Sequence, residues 1–495
     1  MSASSDSKHS RNATVNSVFG NQKLTDSPTS PASSREFSTE SEDPACSNSD
    51  IVPPLTAHPF RTLVLCFDGF DSDNSNIVRL FSVLLKGDRD KQMVYYQAGI
   101  GTYTSPQIAT PMMAKFSKVQ SINPSAVLIL ITGWYLDAHV MDKAGDRICI
   151  FGFSRGAYTA RSLAGMIHKV GILPACNHQQ VPFAYKMFTR DDEVGYAQPA
   201  AFKKAFSVDA TIEFVGVWDT VDSSNTLVKT FRHALSLDER RAKFKANLWN
   251  PRSNHNHSND VKHPHHHRHH HLDLDYLRFY KDPNQKTDIE EVCVPVWFAG
   301  CHCDVGGGSV SNAETTNLAR IPLRWMIRQC FKTNTGILFH SEGLRSLGLD
   351  PSFLWPEVKP RPGPPISSSA RIRSIPRNPS PVFQEMAKDA SPSVYKTEEE
   401  LELEDAMSPI YDQLSLAPGW WVLEFLPVKN KFYDGSGKFM SEIACNLGKA
   451  RKIPRQKQGV KIHRSVKMRM EAQDEKGQKY VPRAEFEPQY VTWVD

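Results

Sequence analysis

Residues 147–171, RICIFGFSRGAYTARSLAGMIHKVG, contain the stretch that decides the fold. The apolar run at 148–151 is typical of a strand buried on both faces of a parallel sheet. The pattern G-x-S-x-G follows it, with Ser154 at the centre. Apolar residues then recur at helical spacing up to Gly171, which predicts a helix that ends there. A serine on a sharp strand-to-helix turn is typical of a nucleophile elbow.

Two glycines flank this serine. Gly152 and Gly156 would let the strand and the helix pass close to each other, while Ser154 takes up a strained conformation that exposes its hydroxyl. The pattern alone is weak, because a serine can occupy a turn in any α/β connection. The apolar strand before it and the amphipathic helix after it favour Ser154 as a nucleophile.

Further apolar runs along the chain predict the other strands of the sheet. Runs with the composition of strands lie at residues 62–67, 93–103, 212–221 and 292–300. Helical apolar faces are predicted at 74–85 and 318–330. Strands that alternate with helices predict an α/β fold, with a mostly parallel sheet flanked by helices as in α/β hydrolases.

Three less regular segments also carry a prediction. Residues 236–249 begin with a serine of the kind that caps a helix, which favours a helix there. Residues 419–428, GWWVLEFLPV, have the composition of an apolar strand. In the basic C-terminal segment, Ile462, Val466 and Met470 recur at helical spacing. Because no aromatic residues are interleaved with these basic residues, a solvated face is favoured over nucleic-acid binding.

A serine nucleophile needs a histidine to accept its proton and a carboxylate to orient that histidine. Asp219 and His302 each follow the end of a predicted strand, in the order acid then histidine that hydrolases show after the nucleophile. Asp304 competes for the role of the acid, and Asp219 could instead cap a helix or a turn. For His302 the alternative is a histidine packed in the core.

The oxyanion of such a reaction needs N–H donors. The N–H of Arg155, at the start of the predicted helix, is the first donor to expect, since the helix dipole also favours negative charge there. Gly69 or Phe70, after the first strand, is expected to supply a second N–H. Asp68 is expected to shape that first loop.

Composition bounds the class of protein. Hydrophobic residues make up 40% of the 495 residues, enough for a large core, and the net charge of +5 is small. The nine cysteines are scattered, which favours reduced thiols. The N-terminus lacks an apolar signal segment, and the longest apolar run, 126–135, is too short to span a bilayer. We therefore expect an intracellular, cytoplasmic protein, with peripheral membrane contact left open and no nucleic-acid partner.

The organisation of the chain follows from composition as well. Residues 1–55 are polar and predict a disordered tail. A hydrolase domain is predicted at 60–356, with a histidine-rich loop at 251–272. Proline-rich residues 357–398 predict a disordered linker, and 399–495 are assigned to the same domain.

Metal binding is the remaining alternative for the glycine-rich segment. Cys301 and Cys303 flank His302, which could suggest zinc. Structural zinc sites usually need a second pair of ligands at short spacing, and no second pair is present. We therefore predict no metal and no cofactor.

Four motifs together resemble a known family. They are FGFSRGAYTARSLAG, FVGVWDTV, FRHALSLDERRAKFKANLW and VWFAGCHCDVGGG. They are similar to the uncharacterised α/β-hydrolase family that includes the catalytic domain of bacterial type VI secretion phospholipase effectors. Their sequences most resemble those of its fungal members. The resemblance extends from about residue 62 to the C-terminus.

This resemblance implies a serine esterase or phospholipase that uses no metal and acts on a lipid or another ester. Ser154, Asp219 and His302 fall on the family's triad positions. The loops after Gly69 and after residues 218–221 are shorter than is usual in the family. An inactive hydrolase-like scaffold is therefore the alternative function.

Overall fold

The computed structural model describes fifteen segments of the chain. They are residues 50–57, 60–69, 74–99, 146–174, 178–189, 194–208, 210, 212–220, 228–246, 295–311, 314–365, 369–375, 396–433, 439–454 and 456–495. The predicted tail (1–55, apart from its last residues), the histidine-rich loop 251–272, the apolar run 126–135 and Phe70 lie outside them.

Twelve strands are present in the described residues. In chain order they are β1 (Ile51–Val52), β2 (Thr62–Phe67), β3 (Gln92–Gln97), β4 (Arg147–Phe153), β5 (Ile212–Trp218), β6 (Thr230–Ser236), β7 (Val296–Phe298), β8 (Phe339–His340), β9 (Val428–Tyr433), β10 (Phe439–Ala444), β11 (Val460–His463) and β12 (Val491–Val494).

The helices follow the same chain order. They are α1 (Asn76–Val83), α2 (Arg155–Val170), α3 (Val181–Thr189), α4 (Val194–Phe206), α5 (His302–Gly306), α6 (Arg320–Lys332), α7 (Ser341–Ser346), α8 (Glu398–Ala406), α9 (Gln413–Leu416), α10 (Trp421–Glu424) and α11 (Arg464–Glu471). Short 3-10 turns lie at Leu55–Ala57, His178–Gln180, Pro351–Phe353, Pro418–Trp420, Gln456–Gln458 and Pro488–Tyr490.

Eight of the strands form one sheet, in the order β12-β11-β7-β6-β5-β4-β2-β3. Every neighbouring pair in this sheet is parallel. Strands β6 and β5 lie in the middle with β4 next to β5, and the C-terminal strands β11 and β12 complete one edge. The predicted α/β class with a mostly parallel sheet is confirmed.

Successive side chains of a strand point to opposite faces of the sheet, and both faces are covered by other parts of the chain. On one face, Phe151 and Phe153 of β4 join a core with α1 and α6. On the other face, Ile148 and Ile150 pack against Ala157 and Ala160 of α2. Because the strands of this sheet are all parallel, their carboxyl ends meet at one edge of the sheet.

Three sequence-based assignments differ from the structure. Residues 236–249 do not start a helix, since Ser236 ends the parallel strand β6 and the described residues after it form a loop. Residues 419–428, predicted as a strand, contain the helical turn α10. Ile462 belongs to β11, and only the residues after it continue as the helix α11. In each case the partner that decides the conformation is distant in sequence.

Part of the predicted linker is described and packs on the rest of the chain. Arg361 donates to Glu402 at 2.6 Å, and the N–H of Ile372 donates to the carbonyl of Gln473 at 2.9 Å. Ile372 is buried. Residues 376–395 of that stretch lie outside the described residues.

The glycines of the elbow stand where β2, β4 and α2 cross. A Cβ on Gly152 would lie 2.5 Å from the Cα of Ala157, and one on Gly156 would lie 2.1 Å from the carbonyl oxygen of Phe67. Both neighbours are backbone atoms and cannot rotate away. The crossing therefore tolerates no side chain at either position.

We expect Gly156→Ala to lower the free energy of unfolding by about 1–3 kcal/mol, because the new methyl group forces the helix away from β2. Urea denaturation measures this change. Gly87→Ala is the matched control, since a Cβ there meets nothing within 4 Å. Equal stability of both variants would contradict the close crossing.

Candidate active site

Ser154 lies at the turn between β4 and α2, with φ 55° and ψ −119°. This conformation is unfavourable for a residue with a side chain and is held by the elements on either side. The N–H of Ser154 donates to the carbonyl of Trp218 at 3.2 Å, which ties the elbow to β5. Ser154 is the N-cap of α2, so its side chain lies at the positive end of a helix of 16 residues.

Asp219 directly follows β5 and also has a positive φ, 42°. Its N–H donates to the carbonyl of Ala234 in β6 at 2.8 Å, which aims the side chain along the carboxyl edge of the sheet. The carboxylate is fully buried. Its Oδ1 accepts the N–H of Ser236 at 3.0 Å and the hydroxyl of the same residue at 3.1 Å.

His302 is the first residue of α5, just after β7. Its Nδ1 lies 2.6 Å from Oδ2 of Asp219. The ring packs on Phe153, the residue before Ser154, in a tilted arrangement with centroids 4.8 Å apart, and meets the edge of Phe244 at the same distance. The fold thus brings the predicted acid and the predicted base into contact beside the elbow.

Arg451, far along the chain, contacts the same carboxylate. Its Nη1 lies 2.6 Å from Oδ1 of Asp219 and its Nη2 lies 2.9 Å from Oδ2. It also donates to the hydroxyl of Ser236 at 2.7 Å and to the carbonyl of Phe244 at 2.5 Å. Asp219 therefore lies between an imidazole and a guanidinium.

These contacts decide the charge of Asp219. Burial alone would raise the pKa of the carboxyl, but the guanidinium of Arg451 and the hydrogen bond with His302 hold the pKa of Asp219 well below its usual range. The neighbouring His233 accepts the N–H of Thr220 at 3.2 Å, and burial lowers its pKa to about 3. Asp219 is consequently ionised and His233 neutral at neutral pH.

The backbone of His302 is fixed by a second ion pair. Its N–H donates to Oε2 of Glu239 at 3.2 Å, and Glu239 pairs with Arg241 at 2.8 Å. The guanidinium of Arg241 lies over the ring of Phe244, 3.6 Å from its centroid. One contiguous set of contacts thus orients both the main chain and the ring of His302.

The competing acid, Asp304, has other partners. Its Oδ2 accepts the N–H groups of Cys301 at 2.9 Å and Tyr411 at 3.0 Å, and its Oδ1 accepts the hydroxyl of Ser309 at 2.8 Å. Burial raises the pKa of Asp304 to about 6. Its contacts therefore indicate a residue that caps α5 and holds the glycine-rich loop.

The first loop differs in part from the expected oxyanion site. The N–H of Gly69 donates to Oδ1 of Asp68 at 2.7 Å, so this predicted donor is already engaged. The carbonyl of Gly69 accepts Nη2 of Arg155 at 2.7 Å. Asp68 also accepts the hydroxyl of Ser75, which agrees with its predicted role in shaping this loop.

Sequence reasoning missed Arg451, Glu239 and Phe244 as parts of this site. Arg451 is one basic residue within a basic segment, and nothing in its local pattern distinguishes it. Phe244 lies in residues 236–249, for which the sequence predicts a helix that does not form. Only the parallel strands, which bring distant loops to one edge, make these residues neighbours.

Metal-binding clusters and membrane-spanning helices are both absent from the described segments. No group of three or more histidine, cysteine or acidic residues there could hold a metal ion. The thiol of Cys301 donates to the carbonyl of Asp238 at 3.4 Å, and burial raises its pKa well above the usual value. No helix among the described residues combines the length and apolarity needed to cross a bilayer.

Comparisons with known proteins give a family. The family model "T6SS, Phospholipase effector Tle1-like, catalytic domain" matches residues 61–329. "Uncharacterized protein YEL023C" of Saccharomyces cerevisiae is 26% identical over 560 aligned residues, covering 85% of this chain and 80% of that protein.

Two solved structures are also similar. One is the crystal structure of an uncharacterized protein from Pseudomonas aeruginosa, at 17% identity and a TM-score of 0.32, covering 59% of this chain and 49% of that one. The other is the Tle1 effector bound to the VgrG spike of the type 6 secretion system, at 17% identity and a TM-score of 0.22, covering 50% and 52%. The chain thus spans about half the length of either solved chain.

The family match covers more than half of the chain and includes β2 to β7 with the elbow and the Asp219–His302 pair. The chain therefore belongs to the family of Tle1-like phospholipase effector catalytic domains.

Proposed function

We propose that the protein is a serine hydrolase of carboxylic esters, with lipid esters as substrates and Ser154, His302 and Asp219 as its catalytic residues. One observation carries the proposal. A buried, ionised Asp219 contacts Nδ1 of His302, whose ring packs on Phe153, the residue before a serine held in a strained turn at a helix N-terminus.

The chemistry follows from these positions. The hydroxyl of Ser154 attacks the acyl carbon, and its proton passes to Nε2 of His302. The imidazolium that forms is stabilised by the carboxylate of Asp219 through Nδ1–H. Collapse of the tetrahedral intermediate releases the alcohol, which takes the proton back from His302. Water then attacks the acyl-enzyme by the same route and frees the acid.

The negative oxygen of the intermediate is stabilised by the N-terminus of α2. The N–H of Arg155 is its first donor, and the aligned peptide dipoles of the helix add a favourable field. The N–H of Gly69 becomes a second donor only when it leaves the carboxylate of Asp68, to which it donates here. The side chain of Arg155 fixes the Gly69 carbonyl and so limits how far this loop can move.

An inactive hydrolase-like scaffold is the competing function. The observation that favours it is the engaged N–H of Gly69, because an oxyanion site with a single donor is weak. The two functions differ in whether Ser154 reacts, which a covalent probe can measure directly.

Ser154→Ala is expected to lower the turnover of a p-nitrophenyl ester by at least about a thousandfold, because the acyl-enzyme cannot form. It is also expected to abolish labelling by a fluorophosphonate while the melting temperature stays nearly unchanged. Ser82→Ala, on the exposed face of α1, is the matched control and should keep both signals. Folded wild-type protein that neither turns over the ester nor takes the label would support the scaffold instead.

Arg451 is expected to set the pH dependence as a positioning residue. In Arg451→Lys the paired guanidinium contacts are lost, so the effect of burial raises the pKa of Asp219. The less neutralised carboxylate makes the Asp219–His302 pair take up a proton at higher pH, so the acid limb of kcat/KM should move to higher pH.

The pH profile of kcat/KM measures this shift, with Arg240→Lys as the control, because Arg240 pairs with Asp412 instead. A variant that loses activity equally at every pH would show that Arg451 acts on the fold alone. Activity with an unmoved acid limb would also contradict the proposed coupling.

A further inference from the structure

The segment that contains α10 exposes apolar side chains and buries a carboxylate. Val422, Phe425 and Leu426 are 66%, 63% and 50% exposed, whereas Glu424 among them is fully buried. A helical segment on a protein surface normally buries its apolar side chains and exposes its charges. Here the one carboxylate points inward and the apolar side chains point to the outside.

Glu424 holds this segment in place. Its Oε1 accepts the N–H of Ala242 at 2.6 Å, and its Oε2 accepts the N–H of Gly448 at 3.0 Å. The carbonyl of Glu424 accepts the N–H of Leu447 at 3.2 Å, which brings a second exposed segment alongside. The orientation of the apolar side chains is thus fixed by buried hydrogen bonds.

Together these segments form a surface that we call the apolar patch. Leu447 and Ile443 add side chains that are 50% and 76% exposed. The apolar patch comprises Val422, Phe425, Leu426, Ile443 and Leu447. Exposed apolar side chains gathered on neighbouring segments mark a site of interaction.

The apolar patch adjoins the candidate active site. Trp420, two residues before Val422, meets the ring of Phe244 with centroids 5.7 Å apart. Phe244 in turn meets the ring of His302 at 4.8 Å. Two aromatic rings therefore separate the patch from the proposed base, so a molecule seated on the patch lies near the site.

Two exposed lysines lie close to the patch in sequence. Lys449 and Lys452 lie two and five residues after Leu447, while one exposed acidic residue, Glu442, precedes Ile443. The pKa of the partly buried Lys245 is lowered by burial and then by Arg451 and the two exposed lysines, which shows how densely cations are placed there. Exposed apolar side chains with a basic rim match the interface of an anionic bilayer.

We propose that the apolar patch, with Lys449 and Lys452, docks the protein on an anionic phospholipid bilayer. The inserted side chains anchor the surface, and the lysines contact lipid phosphates. The functional role of this docking rests on the proposed hydrolysis of lipid esters, because docking places the candidate active site over the bilayer that contains the substrate. The docking itself needs no catalysis.

The test uses the full chain carrying Ser154→Ala, so that vesicles stay intact during the assay. Sedimentation with vesicles of phosphatidylcholine and phosphatidylserine measures binding. Phe425→Ser/Leu426→Ser should weaken it by about tenfold or more, because two inserted side chains are lost. Phe183→Ser is the matched control, since Phe183 is a 54% exposed residue of α3, and it should bind like the parent.

The lysines give a second, independent arm. Lys449→Glu/Lys452→Glu should weaken binding to the anionic vesicles by about fivefold or more, with little effect on vesicles of phosphatidylcholine alone. A parent that does not bind anionic vesicles would overturn the proposal. Equal binding by the patch variant and the Phe183 control would overturn it too, and would leave a protein partner as the occupant.

An activity arm separates this proposal from the proposed function. With Ser154 restored, Phe425→Ser/Leu426→Ser should lose hydrolysis of vesicle lipid but keep that of soluble p-nitrophenyl butyrate. Patch-dependent binding without any ester hydrolysis would refute the enzyme and keep the docking. Hydrolysis of vesicle lipid that ignores the patch would keep the enzyme and refute the docking. Val422→Ser/Leu447→Ser repeats the test with a second pair.

Discussion

The carboxylate of Asp219 is the group on which the rest of the site depends. A buried carboxylate costs several kcal/mol unless cations and hydrogen-bond donors surround it. Here Arg451, Ser236 and His302 supply them from three distant parts of the chain. The ion pair therefore requires the C-terminal part, β6 and α5 to fold together around the end of β5, and it makes the site a product of the whole sheet.

The second constraint is steric. The backbone at Ser154 and Asp219 has positive φ at the ends of two neighbouring strands, an arrangement that costs energy for residues other than glycine. The close crossing at Gly152 and Gly156 holds the first turn, and the hydrogen bond to Ala234 holds the second. Strain placed at two adjacent strand ends positions two side chains with little freedom, as the proposed catalysis requires of the hydroxyl and of the carboxylate that orients the imidazole.

Local sequence patterns predicted the fold but only some of the residues of the candidate site. The apolar runs of β2, β4 and β5 and the helical faces of α1, α2 and α6 show in the sequence, because their burial dictates their composition. Strand β6 does not show it, since Arg232 and His233 within it find buried partners elsewhere. The chain order of Ser154, Asp219 and His302 suggested three residues that converge. Arg451 carries no such signal, because its partner lies 232 residues away.

The misassigned segment 419–428 shows the same limit from the opposite side. Its apolar composition is typical of a strand in a core, yet its buried member is Glu424, and Val422, Phe425 and Leu426 are exposed. The segment does not pair with the sheet. It is held instead by hydrogen bonds from the N–H groups of Ala242 and Gly448 to the carboxylate of Glu424. Composition measures how much apolar surface a segment has, whereas the direction of that surface depends on where its polar anchor finds donors. One of those donors, Ala242, lies in the loop that also carries Phe244, so the anchor that turns the segment outward also ties it to the candidate active site.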